Sequence, residues 1–139
     1  MTPAPADCPL CATQDPPPIW RDARLRVVSA GDPDYPGYLR VIWQAHVAEM
    51  SDLVAAEREH LLLVVLAVER ALRATLHPAK INLASLGNQV PHLHWHVIPR
   101  FADDPHFPDP VWAARRRGAT PRPFDVAQFS ARLTELLGP

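Results

Sequence analysis

Apolar residues change their spacing along this chain, and the changes mark out its elements. Leu25 and Val27 alternate with Arg24 and Arg26, which predicts a half-buried strand over 24–28. Ile19-Trp20 and the turn Arg21-Asp22-Ala23 before it complete a β-hairpin. Turn residues crowd 31–37, and an aromatic and β-branched run over 38–43 predicts a third strand. The spacing then becomes helical over 52–76, where Leu61, Val64, Val65, Val68, Leu72 and Leu76 form one stripe. Glu57, Arg58, Glu69, Arg70 and Arg73 supply its solvated side, Ser51 is the expected N-cap, and Pro78 follows the end. Strands are predicted again over 80–86 and 90–98, joined by the turn Gly87-Asn88-Gln89. Residues 101–123 read as irregular, and 124–137 as a short amphipathic helix with Phe129, Leu133 and Leu136 on one face. Strands, one crossover helix and more strands describe an α+β domain: an antiparallel sheet with the long helix on one face and a short C-terminal helix.

With 139 residues, the chain is the size of one domain, read as an arm over 1–18, a core over 19–101 and an extension of the same domain over 102–139. Fourteen basic against fifteen acidic residues give a net charge of −1, so no overall field recruits nucleic acid or an anionic membrane; a small anionic ligand needs only a local site. The most apolar run, Leu61 to Val68, is far short of the ~20 residues that span a bilayer. Met1 to Asp7 has neither the basic start nor the apolar stretch of a signal peptide, so the expected location is cytoplasmic. In that compartment Cys8 and Cys11 are not expected to form a disulfide.

The informative stretch is Pro91-His92-Leu93-His94-Trp95-His96-Val97-Ile98-Pro99-Arg100. Strand geometry puts His92, His94 and His96 on one face, ~6.6 Å apart, and Leu93, Trp95 and Val97 on the other, facing the core. Each imidazole has polar edges that need partners, and histidine exchanges protons near neutral pH. A row of structurally satisfied histidines is the bland alternative. A metal site is the other; it needs a bent strand or ligands from elsewhere.

This segment resembles the signature of the histidine triad family, His-x-His-x-His-x-x with x apolar, and Pro99-Arg100 continues the likeness. Gln44-Ala45-His46-Val47 through Asp52-Leu53 is similar to an earlier stretch of that family, where a histidine ends a strand before a short loop and a helix. The resemblance spans roughly residues 19 to 101 and implies a histidine triad fold and a homodimer with sheets joined across the two-fold. It implies hydrolysis or nucleotidyl transfer on dinucleoside polyphosphates or nucleoside phosphoramidates, through a covalent nucleotidyl-histidine. His94 would be the nucleophile, His96 would contact the phosphate and the leaving group, and His92 and His46 would orient the site. No cofactor is required by that scheme. Asn82 is similar to a residue that helps to hold nucleotide, and Leu25 and Ile42 would line the base pocket. The family commonly has Gly-Gln-Ser/Thr before the triad; here Gly87-Asn88-Gln89 stands there, which makes Gln89, then Asn88, the candidate donor to phosphate. His96 stands where the uridylyltransferase branch has glutamine, which points to the hydrolase branches. Some members bind zinc through an N-terminal cysteine pair and two histidines, matching Cys8, Cys11, His46 and His92; such a zinc would be structural. The competing functions are a nucleotide-binding regulatory module with little turnover and a zinc protein built on the same histidines. Arg115-Arg116-Arg117 reads as a solvated basic turn, with contact to a phosphate or a partner subunit as the sharper alternative.

Overall fold

A computed structural model describes residues 5–139, so the first four residues of the predicted arm lie outside the described residues. The elements are α1 (Pro9–Ala12), β1 (Trp20–Arg21), β2 (Leu25–Ser29), β3 (Leu39–Trp43), α2 (Ala55–Leu76), β4 (Lys80–Ala84), β5 (His94–Arg100) and α3 (Val126–Leu137). The five strands form one antiparallel sheet in the order β1-β2-β3-β5-β4, which makes β5 an inner strand. The long helix α2 and the shorter α3 cover one face. Leu61, Val64, Val68 and Leu72 from α2 and Phe129 and Leu133 from α3 are buried there against Leu25, Val27, Leu39, Val41 and Val97. Each such side chain contributes roughly 1.5–3 kcal/mol by leaving water. Among the described residues no helix is long and apolar enough to cross a membrane.

Four local readings are corrected. The arm over 1–18, read as a loop, is not one throughout, because Pro9-Leu10-Cys11-Ala12 closes one helical turn. Ser51 does not cap α2: it lies in a 3₁₀ turn, Met50–Asp52, and the helix starts at Ala55, with the Glu57 carboxylate accepting the Val54 N–H at 2.9 Å. The strand predicted over 80–86 ends at Ala84. The strand predicted over 90–98 begins only at His94 and runs to Arg100. Before it the chain turns aside, with the His92 N–H on the Val90 carbonyl at 2.8 Å and the Leu93 N–H on the Val47 carbonyl at 2.8 Å. Pro91, which has no N–H to give a ladder, sits in that bend.

Gly37 closes the turn before β3 at φ 82°, and a Cβ there would stand 2.6 Å from Leu76 Cδ1. Only glycine lets that turn rest against the end of α2. Trp20 donates its indole N–H to the Gly138 carbonyl at 3.0 Å and fastens the end of α3 to the hairpin.

Candidate functional site

The sheet face away from the helices carries the chemistry. Register sets Ile42 across from His94 and Arg40 across from His96, with Arg26 and Val28 next in line on β2. Leu25 is not part of this face. It pairs with Trp43 and is buried in the core beneath α2, so of the two base-pocket candidates only Ile42 shares the histidines' side. Alternation already said this: a residue between Arg24 and Arg26 that buries itself goes to the helix side.

His92, expected beside His94 on the strand, lies in the bend before it and turns toward the N-terminal arm. Its Nδ1 is 3.5 Å from Cys8 Sγ, 3.4 Å from Cys11 Sγ and 3.2 Å from His46 Nδ1, and Cys11 Sγ is 3.3 Å from His46 Nδ1. The four ligand atoms all lie within 4.8 Å of one another. A tetrahedral zinc with bonds of about 2.0 Å to nitrogen and about 2.3 Å to sulfur has N–N edges of about 3.3 Å and N–S edges of about 3.5 Å, so this donor set fits the ion. The His92 Nε2–H donates to the Trp43 carbonyl at 2.6 Å, which fixes the tautomer and leaves the Nδ1 lone pair for a ligand bond. Arg26 anchors the arm from the sheet by donating to the Leu10 carbonyl at 2.8 Å and to Gln44 Oε1 at 3.0 Å.

His94 and His96 stay on the strand, edge to face with ring centroids 5.0 Å apart. The His94 Nδ1–H donates to the His92 carbonyl at 2.6 Å, so the lone pair sits on Nε2. His96 Nδ1 meets the Tyr38 hydroxyl at 2.7 Å. Burial raises the Tyr38 phenol above its ordinary value, against the opposing pull of the Arg40 cation, and no other acceptor is bonded to it. The phenol therefore donates to Nδ1, and the His96 ring proton sits on Nε2, facing outward. Burial, then the neighbouring His94 and Arg40, push His96 down to about 4. His96 is thus neutral at pH 7.

The depressed His96 has a consequence for stability. In the unfolded chain an ordinary histidine takes up its proton near pH 6.5, before the folded one does. This contribution is therefore complete above about pH 6.5 and is lost as the pH falls toward about 4. Urea unfolding at pH 7.5 and pH 5 should show a larger loss for wild type than for His96→Gln; equal losses would contradict the assignment.

Beside the pair, an open cleft is lined by Glu49, Ser51, Ser85, Gly87, His92 and His94. Ser85 donates to the His94 carbonyl at 2.9 Å and fixes that wall. Asn88 and Gln89, the candidate phosphate donors, are exposed and do not line this cleft. Asn82 pairs with Ile98 on β5, and its carbonyl oxygen accepts from Arg100 at 2.8 Å, which leaves its amide N–H groups to offer. The region read as irregular is pinned at its start by a buried ion pair. Arg100, 2% exposed, holds both oxygens of Asp104, 4% exposed, at 2.8 and 3.0 Å. Asp104 also accepts the backbone N–H groups of Phe101, His106 and Phe107 and the Tyr35 hydroxyl. The segment then lays Trp112 edge-on against His96, with ring centroids 5.4 Å apart. Arg115 and Arg116 pair with Asp34 and Asp109, and Arg117 donates to backbone carbonyls, so the basic triplet braces this segment. Tyr38, Asp104 and Trp112 were not singled out from the sequence. Tyr38 was the accessible one, since Tyr38, Arg40 and Ile42 alternate on one face.

Comparison with known proteins agrees with this architecture. Residues 17–103 match the model of the HIT domain. A histidine triad protein from Sinorhizobium meliloti is 32% identical, with a TM-score of 0.68 over 85% of this chain and 87% of that one. One from Bradyrhizobium japonicum is 30% identical, with a TM-score of 0.69 over the same shares, 85% and 87%. A zinc-bound histidine triad family protein from Mycobacterium smegmatis is 24% identical, with a TM-score of 0.63 over 94% of this chain and 93% of that one. None of the curated proteins matches the chain.

Proposed function

Because the chain belongs to the histidine triad family, a family of nucleotide-binding hydrolases and transferases, we propose that it cleaves a nucleotide's phosphorus–oxygen or phosphorus–nitrogen bond through a covalent nucleotidyl-His94. The observation that supports this most is the His94 hydrogen bond to its neighbour's carbonyl, which leaves Nε2 as a lone pair on an open cleft. His94 Nε2 attacks phosphorus, a P–N bond forms, and the bond to the leaving group breaks with its electron pair going to that group. His96 Nε2–H donates to the phosphate oxygens, where charge builds up, and to the leaving atom when that atom is basic. Water then attacks phosphorus. The P–N electron pair returns to Nε2, and the water proton leaves through His96 or solvent. Asn82, through its amide N–H, and Ile42, beneath the base, are the proposed nucleotide contacts, with Gln89 and Asn88 reaching the site only if their turn closes over it. The test is intact-mass measurement after brief mixing with diadenosine tetraphosphate or adenosine phosphoramidate. An adenylyl adduct is expected. No adduct and no product, with nucleotide still bound, would leave a binding module instead.

Cys8, Cys11, His46 and His92 are proposed to hold a structural zinc, whose chemistry is to crosslink the arm to the sheet. The donor set carries this reading. Purified protein should contain about one zinc per chain, and Cys8→Ala or Cys11→Ala should lose it and melt about 10 °C lower or more. Chelation that abolished turnover while the chain stayed folded would overturn the metal-free reaction. A homodimer is proposed by the same family likeness; Leu83 on the edge strand β4 and Leu62, Leu63 and Leu66 on α2 are exposed apolar surface it would cover.

A further inference from the structure

Arg40 differs from the other shielded arginines of this chain. Arg26 donates to Leu10 and Gln44, Arg58 to the Leu53 carbonyl, Arg100 to Asp104 and Asn82, and Arg122 to Asp103. Arg40 is half-buried; its guanidinium lies beside the uncharged Tyr38 hydroxyl, and its Nε is closed off from solvent without a hydrogen-bond partner. Among the described residues no carboxylate pairs with it. A cation partly shielded from water, with one N–H unsatisfied and no counter-charge, costs the fold something. Such a group is retained where a ligand brings the missing anion. Its position names the ligand's place. Register sets Arg40 directly across from His96 and one pair along from Ile42 and His94, on the open face of the sheet. Trp112 walls the same histidine from the C-terminal segment.

We propose that Arg40 binds a second ionised phosphate of the substrate, beyond the one His94 attacks, and thereby selects dinucleoside polyphosphates over nucleoside phosphoramidates. This rests on the nucleotidyl-transfer reading above. A phosphoramidate has a single phosphate, already in the hands of His94 and His96, and its amine leaves without negative charge. A polyphosphate places another phosphate next to the reacting one. When the bridging P–O bond breaks, that phosphate takes the electron pair and gains a negative charge. A planar guanidinium fork offers two parallel N–H donors to it. The interaction strengthens as the charge develops, so it acts on the rate and not on binding alone.

The experiment compares kcat/KM for diadenosine tetraphosphate and for adenosine phosphoramidate in wild type, Arg40→Gln and Arg40→Lys. Wild type should prefer the polyphosphate. In Arg40→Gln the ratio of the two constants should fall about 10- to 100-fold, the usual worth of a charge-assisted hydrogen bond, and Arg40→Lys should recover part of it. A merely structural Arg40 would lower both constants together. An unchanged ratio, or a wild type that prefers the phosphoramidate, overturns the proposal. The adenylyl adduct separates the two levels: its absence with both substrates removes the underlying reading as well, whereas an adduct with an unchanged ratio removes only the role of Arg40.

Discussion

His94→Gly and His94→Asn are expected to lose the proposed nucleotidyl adduct and at least about 10,000-fold of turnover, with His94→Asn still melting within a few degrees of wild type. The size follows from the ring's single purpose. His94 gives its Nδ1–H to the His92 carbonyl, and in the proposed reaction the nitrogen left over makes the covalent bond. Neither asparagine nor glycine can supply that nitrogen. The folding effect of His94→Asn is small, because little beyond one hydrogen bond of about 1 kcal/mol is lost, whereas His94→Gly also removes a buried side chain from an inner strand and melts lower. His94→Gly leaves room for free imidazole, which should restore part of the rate; release of a nucleotidyl-imidazole in that reaction would mark attack on phosphorus, whereas rescue without it would mark proton transfer. Retention of more than about a hundredth of the rate in His94→Asn would mean that water attacks directly, with no covalent intermediate.

Asp104→Ala should be the most destabilising single change on the histidine face, at about 3–5 kcal/mol, because it leaves Arg100 buried, charged and without its carboxylate. The double change Arg100→Met with Asp104→Leu should cost much less than the sum of the single changes, since it removes both charges together. Denaturant unfolding of the four proteins tests this; additive losses would mean that the pair is not coupled. Arg100 and the backbone N–H groups of His106, Phe101 and Phe107 hold Asp104 well below the usual carboxylate range despite its burial. The sign is that of a depressed acid: its stabilisation is complete above about pH 3.9 and disappears only as the pH falls through the lower folded value. Because Asp104 also ties down the segment that brings Trp112 to His96, its loss should reach the site as well.

The periodic parts of the fold were legible in the sequence. The stripe from Leu61 to Leu72 is the buried side of α2, and the alternation around Leu25 and Val27 marks a strand whose apolar side meets it. Local signals misled where another group satisfied the backbone. Ser51 looked like a cap, but Glu57 does that work from inside the first turn. The regular histidine spacing suggested one unbroken strand, but bonds to Val90 and Val47 bend the chain at His92 and send that ring to the cysteines. Cys8 and Cys11 have metal-ligand spacing on their own, but that pair is half a site; only family likeness added His46 and His92, whose distance along the chain hides any spacing rule. Asp104 was invisible for a different reason. A solvated and a buried aspartate look alike in sequence, and only the ring of donors around it tells them apart.

The pairing of β3 with β5 also governs how this protein must assemble. Tyr38 and His96 are 58 residues apart, and Trp43 and His92 are 49 apart, with the whole of α2 in between. Closing so long a loop costs chain entropy before any contact at the site repays it. The hairpin and the helix can form early from neighbours in sequence. The histidine pair meets Tyr38 and Arg40 only after the last strand slides between β3 and β4, so the site is assembled late, once the chain is made through β5 and on to the segment that carries Asp104 and Trp112.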